Sequence, residues 1–206
     1  MRKATKTVAT WMGLTAGFAA IEHGYFEILQ GSVRPEGVMI LSIGPPCDPE
    51  ISWNTCEPAM TILPNFLYSG IISVVVGVLI MILAAGFMQR KRSGLIMILL
   101  NVVSLLFGGG FFPPLIGIVG GVAGLNIQKP ITREKVGPVL GFIAALWPWP
   151  LVIFEVWTLG QIPFGYFAND LLKSIMFYGI ALIFITLPLS VWSGYGRDVK
   201  DTVSGV

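Results

Sequence analysis

The chain has 206 residues, 54% of them hydrophobic and only 12% charged, with a formal net charge of +2. A soluble domain carries about twice that charged fraction, and so small a net charge makes no electrostatic case for nucleic acid. Several apolar runs of 18 or more residues follow one another, which predicts an all-α integral membrane protein. A β-barrel is excluded, because its signature is short alternating segments.

The first predicted helix covers 8–29. Met1, Arg2, Lys3 and Lys6 precede it, the arrangement of a secretory leader, but no A-x-A cleavage pattern follows and the run carries Glu22, His23 and Glu27. It is therefore read as a retained span. At about 100° per residue, Ala9, Gly13, Ala16, Gly17, Ala20, His23, Gly24 and Glu27 share one broad face, with Trp11, Leu14, Phe18, Tyr25 and Leu29 opposite. Small residues let helices approach closely, so the first face is the expected packing face.

A polar stretch, 31–60, comes next and is read as an extracytoplasmic loop. It holds both cysteines, Cys47 and Cys56, which in an oxidising compartment predict a disulfide. The loop is acidic (Glu36, Asp48, Glu50 and Glu57 against Arg34) and contains Trp53, which suits interfacial anchoring or contact with a partner. The second span, 62–88, ends in Gln89-Arg90-Lys91-Arg92.

Residues 94–127 would measure about 51 Å as one helix, against a hydrocarbon core of about 30 Å. Their middle reads Gly108-Gly109-Gly110-Phe111-Phe112-Pro113-Pro114, glycines to break a helix and proline to start one. A short helical hairpin is predicted, with spans 94–112 and 113–127. Spans five and six follow at 138–159 and 171–192, joined by an outer loop over 160–170, and 193–206 is a polar, mobile cytoplasmic tail. Pro148 and Pro150 should break span five and release the carbonyls of Ala144 and Leu146.

Charge placement supports six spans. Arg2, Lys3, Lys6, Arg90, Lys91, Arg92, Lys129, Arg133, Lys135, Arg197 and Lys200 then fall on one side, and Arg34 and Lys173 on the other. The positive-inside rule makes the first side cytoplasmic and puts both termini there, in the cell membrane. Treating 94–127 as one span splits the basic residues almost evenly.

Ionisable groups inside a span need partners, water or a function. His23 and Glu27 are i,i+4 neighbours and are expected to pair. Glu22 lies off their face and needs a partner elsewhere. In the six-span arrangement Glu155 sits at similar depth, so Glu22, His23, Glu27 and Glu155 form a candidate proton or cation site. The bland alternative is a satisfied polar pair holding helices together, with Glu22 and Glu155 reaching the headgroups. One form of the candidate site is a metal held by His23, Glu27 and a carboxylate of a second helix, although one histidine with scattered carboxylates identifies neither a metal nor a cofactor.

Asn101 and Ser104 are expected to hydrogen-bond across helices. Small residues at Ser73 and Gly77, and at Gly117, Gly120, Gly121 and Gly124, suit close packing within the chain or a homo- or hetero-oligomer. Phosphate-loop, zinc-protease and serine-elbow patterns are absent. The expected function is that of a structural or accessory membrane component in the lipid bilayer, with a small proton- or cation-coupled transporter as the alternative.

Overall fold

The computed structural model describes residues 1–44, 53–54, 56–133 and 135–205. Six helices make up most of the chain: α1 (Lys3–Gln30), α2 (Phe66–Phe87), α3 (Ser93–Leu106), α4 (Phe112–Gly124), α5 (Pro138–Ala145) and α6 (Trp149–Ser204). A two-stranded antiparallel hairpin, β1 (Met39–Leu41) and β2 (Pro58–Met60), lies between α1 and α2. Two of the helices, α2 and α6, are long and apolar enough to cross a membrane, whereas α3 and α4 are apolar but shorter.

Helix α1 is the hub, packed against α2, α3, α4 and α6. Its small-residue face is buried, while Trp11, Phe18, Tyr25 and Leu29 are exposed. Gly17 meets Gly77 and Gly24 meets Gly70, backbone against backbone, which makes α1 and α2 antiparallel. One apolar cluster joins Ala9, Ile80, Met97 and Ala123 across α1–α4, and a second joins Met12, Ile116 and Phe154 across α1, α4 and α6. The glycine faces of α1, α2 and α4 are thus filled by the chain's own helices.

The expected hairpin forms. Gly94 packs on Gly121 and Gly124, and Asn101 lies on Gly117, so α3 and α4 run antiparallel around a turn at 107–111. Asn101 does not bond across helices. It donates to Met97 O of its own helix at 2.8 Å, since the partner surface is glycine backbone.

The C-terminal third departs from expectation. Helix α5 ends at Ala145 and α6 begins at Trp149, so the proline pair does break the segment. The carbonyls of Ala144 and Leu146 are caught in tight turns by the N–H groups of Trp147 and Trp149. Residues 160–170 are not a loop but helix, with Ala168 alone outside helical geometry. Gly160, Pro163 and Gly165 favour a loop, yet Pro163 removes only one helical hydrogen bond and the helix runs through all three.

At Ala168 the chain folds back. Gly179 lies on Trp157, Gly194 near Trp147 and Gly196 on Ala144, so the arms 149–167 and 169–204 are antiparallel. Taken with α1–α4, six apolar segments alternate in direction.

The tail is also a correction. Helix α6 continues to Ser204, and Ser193, Gly194, Gly196, Asp198 and Val199 are buried. Asp198 is the reason. Its Oδ1 accepts the Ala4 N–H at 2.9 Å, and its Oδ2 accepts the Thr5 N–H at 2.8 Å and the Thr5 hydroxyl at 2.7 Å. Asp198 therefore caps α1 from the far end of the chain, which is why α1 starts at Lys3, earlier than expected. Arg2 N–H bonds Ile127 O, and Gln128 Nε2 bonds Gln89 O, so the basic segments meet at one end of the bundle.

Candidate functional site

At the opposite end, the last turns of α1 meet the β-hairpin, α2 and the α3–α4 turn. His23 and Glu27 lie one helical turn apart on the buried face of α1. They do not satisfy one another. His23 Nε2 faces Glu57 Oε2 at 3.3 Å, the imidazole buried and the carboxylate partly exposed. Glu57 directly precedes β2, and its carbonyl accepts the Ser42 N–H at 3.0 Å, which ties it to the segment after β1.

Glu27 is fully buried, and its Oε1 accepts the Ser42 hydroxyl at 2.9 Å. Ser69 of α2 stands beside the carboxylate and donates to Thr61 Oγ1 at 2.7 Å. Among the described residues Glu27 Oε2 and His23 Nδ1 have no hydrogen-bond partner.

The glycine turn closes the site. Gly108 and Gly110 have φ of +86° and +78°, the left-handed region that side chains rarely adopt. A Cβ at Gly108 would strike the Glu27 carboxylate, and one at Gly110 the His23 ring. The turn is held there by Gly108 N–H to Met60 O at 2.8 Å and Ile62 N–H to Leu106 O at 3.1 Å. Both sequence oddities, the ionisable pair and the glycine triplet, belong to one contact. Trp53 extends the cap sideways by lying on Gly165 of α6.

Glu22 is half-buried, within electrostatic range of His23 and Glu57. Glu155 does not join the group. Its Oε2 accepts the Thr15 hydroxyl, and its Oε1 has no partner among the described residues. Thr15 and Glu27 are twelve residues apart on α1, about 18 Å along the axis. The four expected residues therefore divide into a cluster of three and Glu155, which bonds Thr15 separately at mid-helix.

Beside that pair, an apolar cleft of about 460 Å³ runs between α1 and α6, lined by Trp11, Thr15, Phe18, Leu159, Ile162 and Pro163. Neither His23 nor Glu27 lines it. Among the described residues no group of three or more His, Cys, Asp or Glu side chains is arranged to hold a metal ion. Cys47, Asp48 and Glu50 lie outside the described residues, and with them the expected Cys47–Cys56 bridge and part of the acidic loop.

Sequence reasoning missed Glu57 and Ser42 as partners, because the i,i+4 spacing of His23 and Glu27 suggested a pair complete in itself. It missed Thr15 because a lone threonine in an apolar helix gives no signal. Comparison of the chain with family models, curated proteins and solved structures gives no match.

Proposed function

We propose that this chain is a six-span membrane component with a structural or accessory role, in which the Glu22/His23/Glu27 cluster fastens the outer cap onto α1. Alternation of six apolar segments supports the span count, with α3 and α4 as a short pair and the arms of α6 as separate crossings. Convergence of the basic segments at one end supports a cytoplasmic location for both termini, in the cell membrane.

The observation that carries the structural role is the glycine turn. Backbone of Gly108 and Gly110 lies directly on the Glu27 carboxylate and the His23 ring, leaving no room for a substrate or hydrated ion between them. Serine hydroxyl, glutamate and glycine backbone instead tie the β-hairpin and the α3–α4 turn to the end of α1.

A transporter reading has one observation in its favour, the buried Glu27 Oε2 and His23 Nδ1, which have no partner among the described residues and are able to exchange protons. One experiment separates the two. His23→Ala, Glu27→Ala and the double variant are compared with wild type by thermal unfolding in detergent and by proton flux in liposomes. The structural reading expects loss of stability, non-additive in the double variant, and wild-type flux no higher than that of empty liposomes. Flux that Glu27→Gln abolishes at unchanged melting temperature overturns it.

A further inference from the structure

The chain commits several of its cations to its own groups. Arg2 donates to the carbonyls of Lys129 and Pro130 and lies over the Tyr195 ring. Arg197 pairs with Asp201 at 3.0 Å, and Lys173 with Asp170 at 3.0 Å. Arg90, Lys91 and Arg92 differ. All three are exposed, and among the described residues none has a carboxylate partner.

Their turn is nevertheless well ordered by local bonds. Ser93 Oγ donates to Phe87 O at 2.6 Å, the Arg90 N–H bonds Phe87 O at 2.9 Å, and the Arg90 guanidinium stacks on the Phe87 ring at 4.5 Å. The bond from Gln128 to Gln89 O fixes α4 against the same turn.

Between them is a cavity of about 240 Å³, lined by Arg90, Lys91, Arg92, Leu95, Leu125 and Gln128. Leu95, at the start of α3, and Leu125, just past the end of α4, are 45% and 43% exposed and give the cavity an apolar side. Charge on one side and exposed aliphatic surface on the other match one class of molecule.

We propose that the α2–α3 turn is a binding site for an anionic phospholipid, its phosphate among Arg90, Lys91 and Arg92 and an acyl chain along Leu95 and Leu125. The phosphate supplies the negative charge that the chain itself does not, and the arginines offer it forked donors. The leucine side selects a lipid over free phosphate. This inference rests on the membrane reading above, but not on the role given to the polar cluster.

The test uses the full chain in nanodiscs of phosphatidylcholine with and without phosphatidylglycerol, reading bound lipid by native mass spectrometry and stability by thermal unfolding. Wild type should retain phosphatidylglycerol and be stabilised by it, while inorganic phosphate at the same concentration does neither. The triple variant Arg90→Gln/Lys91→Gln/Arg92→Gln should lose about a hundredfold in preference, three charges at roughly fivefold each. A control, Lys3→Gln/Lys135→Gln/Lys200→Gln, removes the same charge from the same end and should lose far less. Equal losses in the two triple variants mean diffuse surface charge and overturn the site, as does stabilisation by phosphate alone. Helix content and melting temperature in pure phosphatidylcholine establish that each variant is folded. Failure of wild type to enter nanodiscs at all tells against the membrane reading rather than the lipid site.

Discussion

Asp198 and Glu27 are both buried acids bound to α1, the first at its amino end and the second near its carboxyl end. Asp198 accepts three hydrogen bonds, two from backbone N–H groups at the positive end of the helix. Glu27 accepts one from Ser42, has no partner for its second oxygen among the described residues, and lies at the negative end of the same helix, where the helix gives an anion no help. One carboxylate stabilises through its charge. The other works mainly through its shape, as the surface on which a glycine turn rests.

The comparison is broken most directly at that turn. Gly108→Ala or Gly110→Ala combines positive φ with a collision against a fully buried side chain, and should cost about 3 kcal/mol or more. Unfolding in mixed micelles measures it, and a cost below about 1 kcal/mol means the turn does not rest on Glu27 and His23. Asp198→Ala should follow, at about 2–3 kcal/mol, because three donors at the start of α1 lose their acceptor. Hydrogen exchange at Ala4 and Thr5 should rise in step.

Ser42→Ala should cost about 1–2 kcal/mol by removing the donor to a buried carboxylate. Glu27→Gln sharpens the contrast, because the amide keeps an acceptor for Ser42 and the shape beneath Gly108. It should cost less than about 1 kcal/mol. If it matches Asp198→Ala in unfolding, charge matters equally at both ends and the distinction fails. The smallest effect belongs to Glu57→Gln, a pair with one partner 38% exposed, at under about 1 kcal/mol.

Much of the bundle was legible because its signals are local. The small-residue face of α1 follows from helical periodicity, and the turn near Gly108 from residues that both break and start helices. The start of α2 was less legible: Asn65 accepts the Tyr68 N–H at 3.2 Å and starts the helix at Phe66, four residues after the expected span begins. What escaped depends on contacts between residues far apart in the chain. Gly160, Pro163 and Gly165 look like a loop, yet Gly165 is small because the Trp53 ring lies on it. Asp198 reads as one more charge in a polar tail until α1 is placed beside it. Glu155 looked like a companion of Glu27 by depth, and the Thr15 bond puts it elsewhere.

The Asp198 cap also bears on the order in which the molecule is completed. Thr5 and the carboxylate it binds are separated by 193 positions, so during synthesis α1 waits with open amide groups until the segment carrying Asp198 has left the ribosome. Docking of the α6 arm that carries Asp198 then closes the start of α1, and the Ala4 and Thr5 amides become reporters on whether that arm has arrived.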